Sequence, residues 1–121
     1  MIAKTIKYTD YNGVEREETH RFNLSKVELM EMNLDLDENG FEHILETENN
    51  AELFKIFRDL ILKSYGEKSK DGRGFVKSPE ATKAFEQSIA YEEIFMELAS
   101  NAEVAAEFFN GIIPKIDVPA E

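Results

Sequence analysis

The chain contains no cysteine, which excludes disulfides, thiolate nucleophiles and cysteine-ligated metal centres. Histidine is scarce too: His20 and His43 are the only pair. They lack the close spacing of a zinc site and have no nucleophile set beside a base, so both are expected at the surface. No apolar run approaches the roughly 20 residues of a membrane span, and the N-terminus has no apolar export-type segment. The expected setting is a reducing, cytoplasmic compartment. Basic residues are few, 14 against 25 acidic ones, giving a formal net charge of -11. That balance opposes binding to nucleic acid or anionic membranes, confers solubility, and suits a basic protein partner through electrostatic steering.

Large apolar side chains are plentiful. Hydrophobic residues make up 42% of the 121 positions, with nine Phe and four Tyr, enough for one globular domain over 1–121 and too much for a disordered chain. The pattern predicts a mainly α fold: an N-terminal β-hairpin followed by four or five packed helices.

The hairpin reads over 4–22. Ile6 and Tyr8 alternate with polar neighbours, Asp10-Tyr11-Asn12-Gly13 carries turn chemistry, and Val14 to Phe22 supplies a charged second arm. Two strands are marginal alone, so a helix or a neighbouring subunit must cover one face. A helical body follows over 26–110. Ser25 with Glu28 forms a capping box, stapled by Leu24 and Leu29, and opens a helix ending near Leu34. A weaker helix spans Phe41 to Glu48. Over 51–65, Leu53, Phe54, Ile56, Phe57, Leu60, Ile61 and Tyr65 trace an apolar arc wide enough for a central helix touched from two sides. Gly66 ends it, and Glu67 to Gly74 reads as a loop. Ser78-Pro79-Glu80 starts a long helix to about Ala99. Ser100 with Glu103 caps the last helix, which Asn110-Gly111 should stop, leaving 111–121 as an apolar, then flexible tail.

Chemistry-bearing patterns are few. Asp35, Asp37, Asn39, Gly40 and Glu46 match ligand and glycine positions of a calcium-binding EF-hand loop. Against it stand Glu42 where such loops place an apolar residue, the Asn49-Asn50 break, and the lack of a partner loop; a capped inter-helix turn explains the residues equally. Acidic neighbours such as Glu17-Glu18 and Glu92-Glu93 give no reason to expect facing carboxylates in a cleft. Asp71-Gly72-Arg73-Gly74 lacks the elements of a phosphate cradle. No cofactor is expected, and the chain reads as a binding protein rather than an enzyme. Two partner surfaces are proposed at this level. Phe108, Phe109, Ile112 and Ile113 crowd the end of the last helix and either close the core or contact another chain. Lys68, Lys70 and Arg73 form a basic loop on an acidic body, suited to an inter-subunit contact.

Three blocks together resemble the tail assembly chaperone family of long-tailed (siphovirus-type) bacteriophages, short form: Lys4 to Val14, Phe57 to Gly66 with Asp71-Gly72 and Phe75 to Ser78, and Phe108 to Pro114. The stretch from Asp35 to Glu48 departs from the family pattern. The resemblance implies a non-enzymatic helical subunit that binds the tape measure protein, keeps it soluble and assists tail tube assembly. It further implies contacts with the major tail protein, a frameshifted long form, homo-oligomers, residence in the cytoplasm of the infected or lysogenic host, and absence from the mature virion. The alternatives are a calcium-responsive protein-binding module and a structural virion or homo-oligomeric component.

Overall fold

The computed structural model describes residues 1–32 and 50–113. The EF-hand-like stretch from Asp35 to Glu46, the expected helix over Phe41 to Glu48, His43, and the tail beyond Ile113 lie outside the described residues.

Strands β1 (Ile2–Thr9) and β2 (Glu15–Phe22) pair antiparallel, from Ile2 opposite Phe22 to Thr9 opposite Glu15. Asp10 organises the turn between them. Its Oδ1 accepts from the Asn12 and Val14 amides at 2.9 and 3.0 Å, and Arg16 Nε donates to Oδ2 at 2.6 Å. The hydrogen bond from Arg16, helped by the backbone amides, holds the Asp10 carboxyl below its usual range. Gly13 takes φ +78°, a conformation that only glycine adopts cheaply. Period-2 alternation then decides the faces: Ile2, Ile6 and Tyr8 of β1 and Glu18, His20 and Phe22 of β2 are the more buried positions and turn toward the helices.

The ribbon is half of a larger sheet. Strands β3 (Tyr65–Lys68) and β4 (Phe75–Val76) extend it to four strands in the order β1-β2-β3-β4. The stretch expected to be a loop after Gly66 is therefore the tip of a second hairpin. These strands are too short and polar to show alternation; the pairing of Arg21 with Gly66 and Phe22 with Tyr65 selects them. Gly66 does more than end a helix. A Cβ there would sit 2.6 Å from the Phe75 ring and 2.8 Å from the Val76 carbonyl oxygen, so the second hairpin closes only over glycine.

Five helices are described, in keeping with a helix-dominated α+β fold. The first, α1 (Lys26–Met32), begins at the expected capping box: Glu28 N–H donates to Ser25 Oγ at 3.1 Å and Ser25 N–H to Glu28 Oε1 at 3.0 Å. Next come α2 (Asn50–Ser64) and α3 (Pro79–Glu86), the latter capped by Ser78, whose Oγ accepts from the Ala81 amide at 3.0 Å. The long helix expected to Ala99 is two helices. Ser88 Oγ donates to the Phe85 carbonyl at 2.6 Å and accepts from the Tyr91 amide at 3.3 Å, ending α3 and starting α4 (Ile89–Ser100). Asn101, not Ser100, caps α5 (Ala102–Ile112), because Ser100 Oγ is turned back onto the Met96 carbonyl at 2.7 Å. Nor does Asn110-Gly111 stop that helix. A Cβ on Gly111 would lie 3.2 Å from Ile2 Cδ1, so this glycine lets α5 approach β1, and the Leu24 amide caps the helix by donating to the Ile112 carbonyl at 2.9 Å.

One core joins these elements. Ile6 and Phe22 from the sheet meet Phe57, Leu60 and Ile61 of α2, Phe85 of α3, Ile94 and Leu98 of α4, and Phe108, Phe109 and Ile112 of α5. Phe22 sits at its centre, edge-on to Phe108, Phe85 and Tyr65 at ring distances of 5.1, 5.8 and 5.9 Å. Such edge contacts add about 0.5–1.5 kcal/mol each beyond area burial.

Candidate partner-binding groove

The C-terminal apolar cluster is mostly inside the protein. Phe108 and Phe109 are 1% exposed and Ile112 is 0% exposed, while Ile113 is half-buried against the core. Among the described residues, most of the exposed large apolar side chains lie elsewhere, Phe54 and Met96 among them. Lys68, Lys70 and Arg73 are all exposed around the second hairpin tip. That tip is pinned: Ser69 Oγ donates to Asp71 Oδ1 at 2.6 Å, the Arg73 amide donates to the same oxygen at 3.0 Å, and Gly72 adopts φ +74°. The hydrogen bond from Ser69 lowers the Asp71 pKa.

A wide apolar arc on α2 has only part of its width covered. Phe57, Leu60 and Ile61 face the core, while Phe54, one turn earlier, remains 40% exposed. Ala51, Phe54, Lys55 and Arg58 recur at helical spacing and form one wall of a groove; Tyr91, Glu92, Phe95 and Met96 of α4 form the other. Phe54 lies 5.9 Å from Phe95, Phe57 lies 6.4 Å from Phe95, and Tyr91 lies 6.0 Å from Phe95, all as ring-centroid distances. Met96, 58% exposed, lines the groove beside these rings. The groove encloses about 430 Å³, within the roughly 300–1,000 Å³ of small binding pockets. Phe54 meets Phe95 while Arg58, one turn later, reaches Glu86 just before α4 begins, so the two helices run antiparallel along it. Burial is the main cause of the raised Tyr91 pKa, keeping the phenol neutral beneath the groove.

The lips are charged oppositely. Lys55 and Arg58 line the α2 side and Glu92 the α4 side. Arg58 also makes a loose ion pair with Glu86 at 3.4 Å. The sequence signal for this site was the width of the α2 arc together with Met96 directly after Phe95. Periodicity assigns that arc to a core, and it does not show that α4 leaves part of it uncovered; Met96 itself stands outside the positions that the pattern singled out.

A larger cleft of about 1060 Å³ opens among α1, α2 and α3, where the ion pair of Lys77 and Glu28 serves the fold. Lys77 Nζ donates to Glu28 at 2.6 and 2.7 Å, to the Asn23 carbonyl at 2.8 Å and to the Lys63 carbonyl at 2.7 Å. One ammonium thus ties the capping box of α1 to the end of β2 and the C-terminus of α2. His20 is likewise structural. Contrary to the expected surface position, it is half-buried, 5.1 Å from the Phe85 ring and 5.9 Å from Tyr65. Its Nε2 lies 3.3 Å from Glu18 Oε1 but makes no hydrogen bond, and burial pushes its pKa down against the attraction of Glu18. Among the described residues no cluster of three His, Cys, Asp or Glu side chains is arranged to hold a metal ion, and no helix is long and apolar enough to cross a membrane.

A family model described as phage tail assembly chaperone matches residues 1–118. No curated protein and no solved structure matches the chain.

Proposed function

Because the chain belongs to the phage tail assembly chaperone family, we propose that it binds the tape measure protein, keeps it soluble and assists tail tube assembly, holding this client in the groove between α2 and α4. The family implies a non-enzymatic role. The supporting observation is the open groove lined by Phe54, Phe95 and Met96, in a protein that buries its other phenylalanine-rich segment at the end of α5. Covering on the order of 100 Å² of apolar surface there contributes about 2.5 kcal/mol at 25 cal/mol per Å². One groove therefore holds weakly and lets go, as a protein absent from the finished particle must.

The acidic exterior favours basic stretches of the client and raises the rate of encounter. The pinned basic tip of Lys68, Lys70 and Arg73 suits the acidic surface of another copy, which would make the working form a homo-oligomer. The major tail protein and a frameshifted long form are the further partners, met in the host cytoplasm.

Co-expression with the tape measure protein tests the reading. The wild-type chain is expected to raise the soluble fraction of that protein and to co-purify with it, whereas Met96→Glu, which is exposed and should fold normally, loses both. Equal rescue by a folded Met96→Glu variant would move the client site elsewhere; absence of rescue by the wild type would refute the function.

A further inference from the structure

We infer that the groove accepts its client as an amphipathic helix laid along α2 and α4 in one preferred direction, set by the opposite charges of its two lips; this rests on the client-binding reading above. The walls are two antiparallel helices, and helix interiors use their backbone N–H and C=O groups internally. An extended segment entering such a groove would find no backbone partners and would bury polar groups unpaired. A helix satisfies its own backbone and offers a convex apolar stripe to the floor of Phe54 and Phe95.

A second copy of this chain is the weaker occupant. The surface is a hollow, and two identical hollows placed face to face fill neither. Its apolar floor of a few side chains also falls far short of the roughly 800 Å² per partner of a stable interface.

Direction follows from charge. Lys55 and Arg58 stand on one lip and Glu92 on the other. A client helix whose apolar stripe is flanked by acids on one side and bases on the other matches both lips in one orientation. Turned end for end, it sets like charges against like. Exposed pairs of this kind are individually weak, so two or three of them favour one direction by about tenfold at low salt and lose that preference when screened.

The absence of cysteine makes disulfide trapping clean. An Ala51→Cys variant, at one end of the groove, is mixed with a synthetic leucine-striped helix of about four turns carrying glutamates on one flank and lysines on the other, with its single cysteine at either terminus. The expected result is trapping about tenfold faster through one terminus than the other. The preference should reverse when the peptide flanks are exchanged, reverse again with Lys55→Glu, Arg58→Glu and Glu92→Lys combined, and vanish at about 0.5 M salt while trapping itself persists. Equal trapping through both termini at low salt, still abolished by Met96→Glu, overturns the direction and leaves the groove as client site. Trapping unaffected by Met96→Glu overturns both. A dimer in light scattering that Met96→Glu dissolves would make a second copy the occupant and overturn the helical client.

Discussion

Replacing Lys77 by methionine should cost this protein more than any other single loss of charge among its described residues. Methionine keeps most of the apolar stem but strands the Glu28 carboxylate and withdraws a donor from the Asn23 and Lys63 carbonyls. Breaking a buried pair costs about 3–5 kcal/mol; here each side chain keeps 22% exposure, which reduces the expected loss to about 2–3 kcal/mol. At about 2.1 cal/mol/K per residue, 121 residues give an unfolding entropy near 0.25 kcal/mol/K, so the melting temperature should fall by about 8–12 °C. Glu28→Gln keeps the capping box and removes only the charge, so it should cost about 1–2 kcal/mol, and the double-mutant cycle should return a coupling of about 1 kcal/mol or more.

The pair is also pH-dependent. Burial pushes the Glu28 carboxyl up, but the Lys77 and Ser25 hydrogen bonds outweigh it and hold it below 4.5. At Lys77 burial is the largest cause and wins over the attraction of Glu28, so that pKa is lowered as well. The two directions disagree about how well the pair offsets its desolvation; the four short contacts around Nζ favour a charged, bonded ammonium at neutral pH. For the depressed carboxyl, the stabilisation is present above pH 4.5 and is lost as pH falls through the folded value. The gap in melting temperature between the wild type and Lys77→Met should therefore narrow in acid. A calorimetric difference below 3 °C at pH 7, or one independent of pH, would refute this account of the junction.

Three further outcomes follow from the packing. Phe108→Ala should lose about 3–5 kcal/mol in urea unfolding, because the ring is 1% exposed and edge-on to Phe22; a loss under 1 kcal/mol would return Phe108 to the list of surface residues. Gly66→Ala should cost about 1–3 kcal/mol through overpacking against Phe75 and the Val76 carbonyl, with amide exchange rising first in β3 and β4. The His20 pKa is lowered below 6.5 by burial, so the unfolded state takes up the proton first and stability falls as pH drops from 6.5 toward the folded value. His20→Phe, beside the stacked rings of Tyr65 and Phe85, should remove that part of the acid sensitivity, and an NMR titration of His20 with a midpoint at or above 6.5 would contradict the argument.

Much of the fold was legible because its signals are local. The capping box at Ser25 and Glu28, the Ser78-Pro79 start and the Asp10 to Gly13 turn each depend on residues within a few positions of one another, and each appears where the pattern placed it. The second hairpin was not legible. Tyr65 to Lys68 has no strand pattern of its own and becomes a strand only because Phe22 and Arg21 lie beside it. The break at Ser88 was hidden for a related reason: apolar periodicity continues on either side, and the serine that ends one helix and starts the next resembles any polar helix residue.

The candidate site divides in the same way. Composition, spacing and the family blocks established a cysteine-free, acidic, helix-dominated protein with more large apolar side chains than a simple surface requires. Which of them face outward depended on long-range packing. The crowded end at Phe108, Phe109 and Ile112 is sealed because Gly111 lets α5 press onto Ile2. The surface-available pair, Phe54 and Met96, belongs to helices read as core-facing, because a helix of given periodicity carries the same stripe whether or not a neighbour covers its edge. Sequence spacing sets the width of an apolar face, and the angle and reach of adjoining elements set how much of it stays in water.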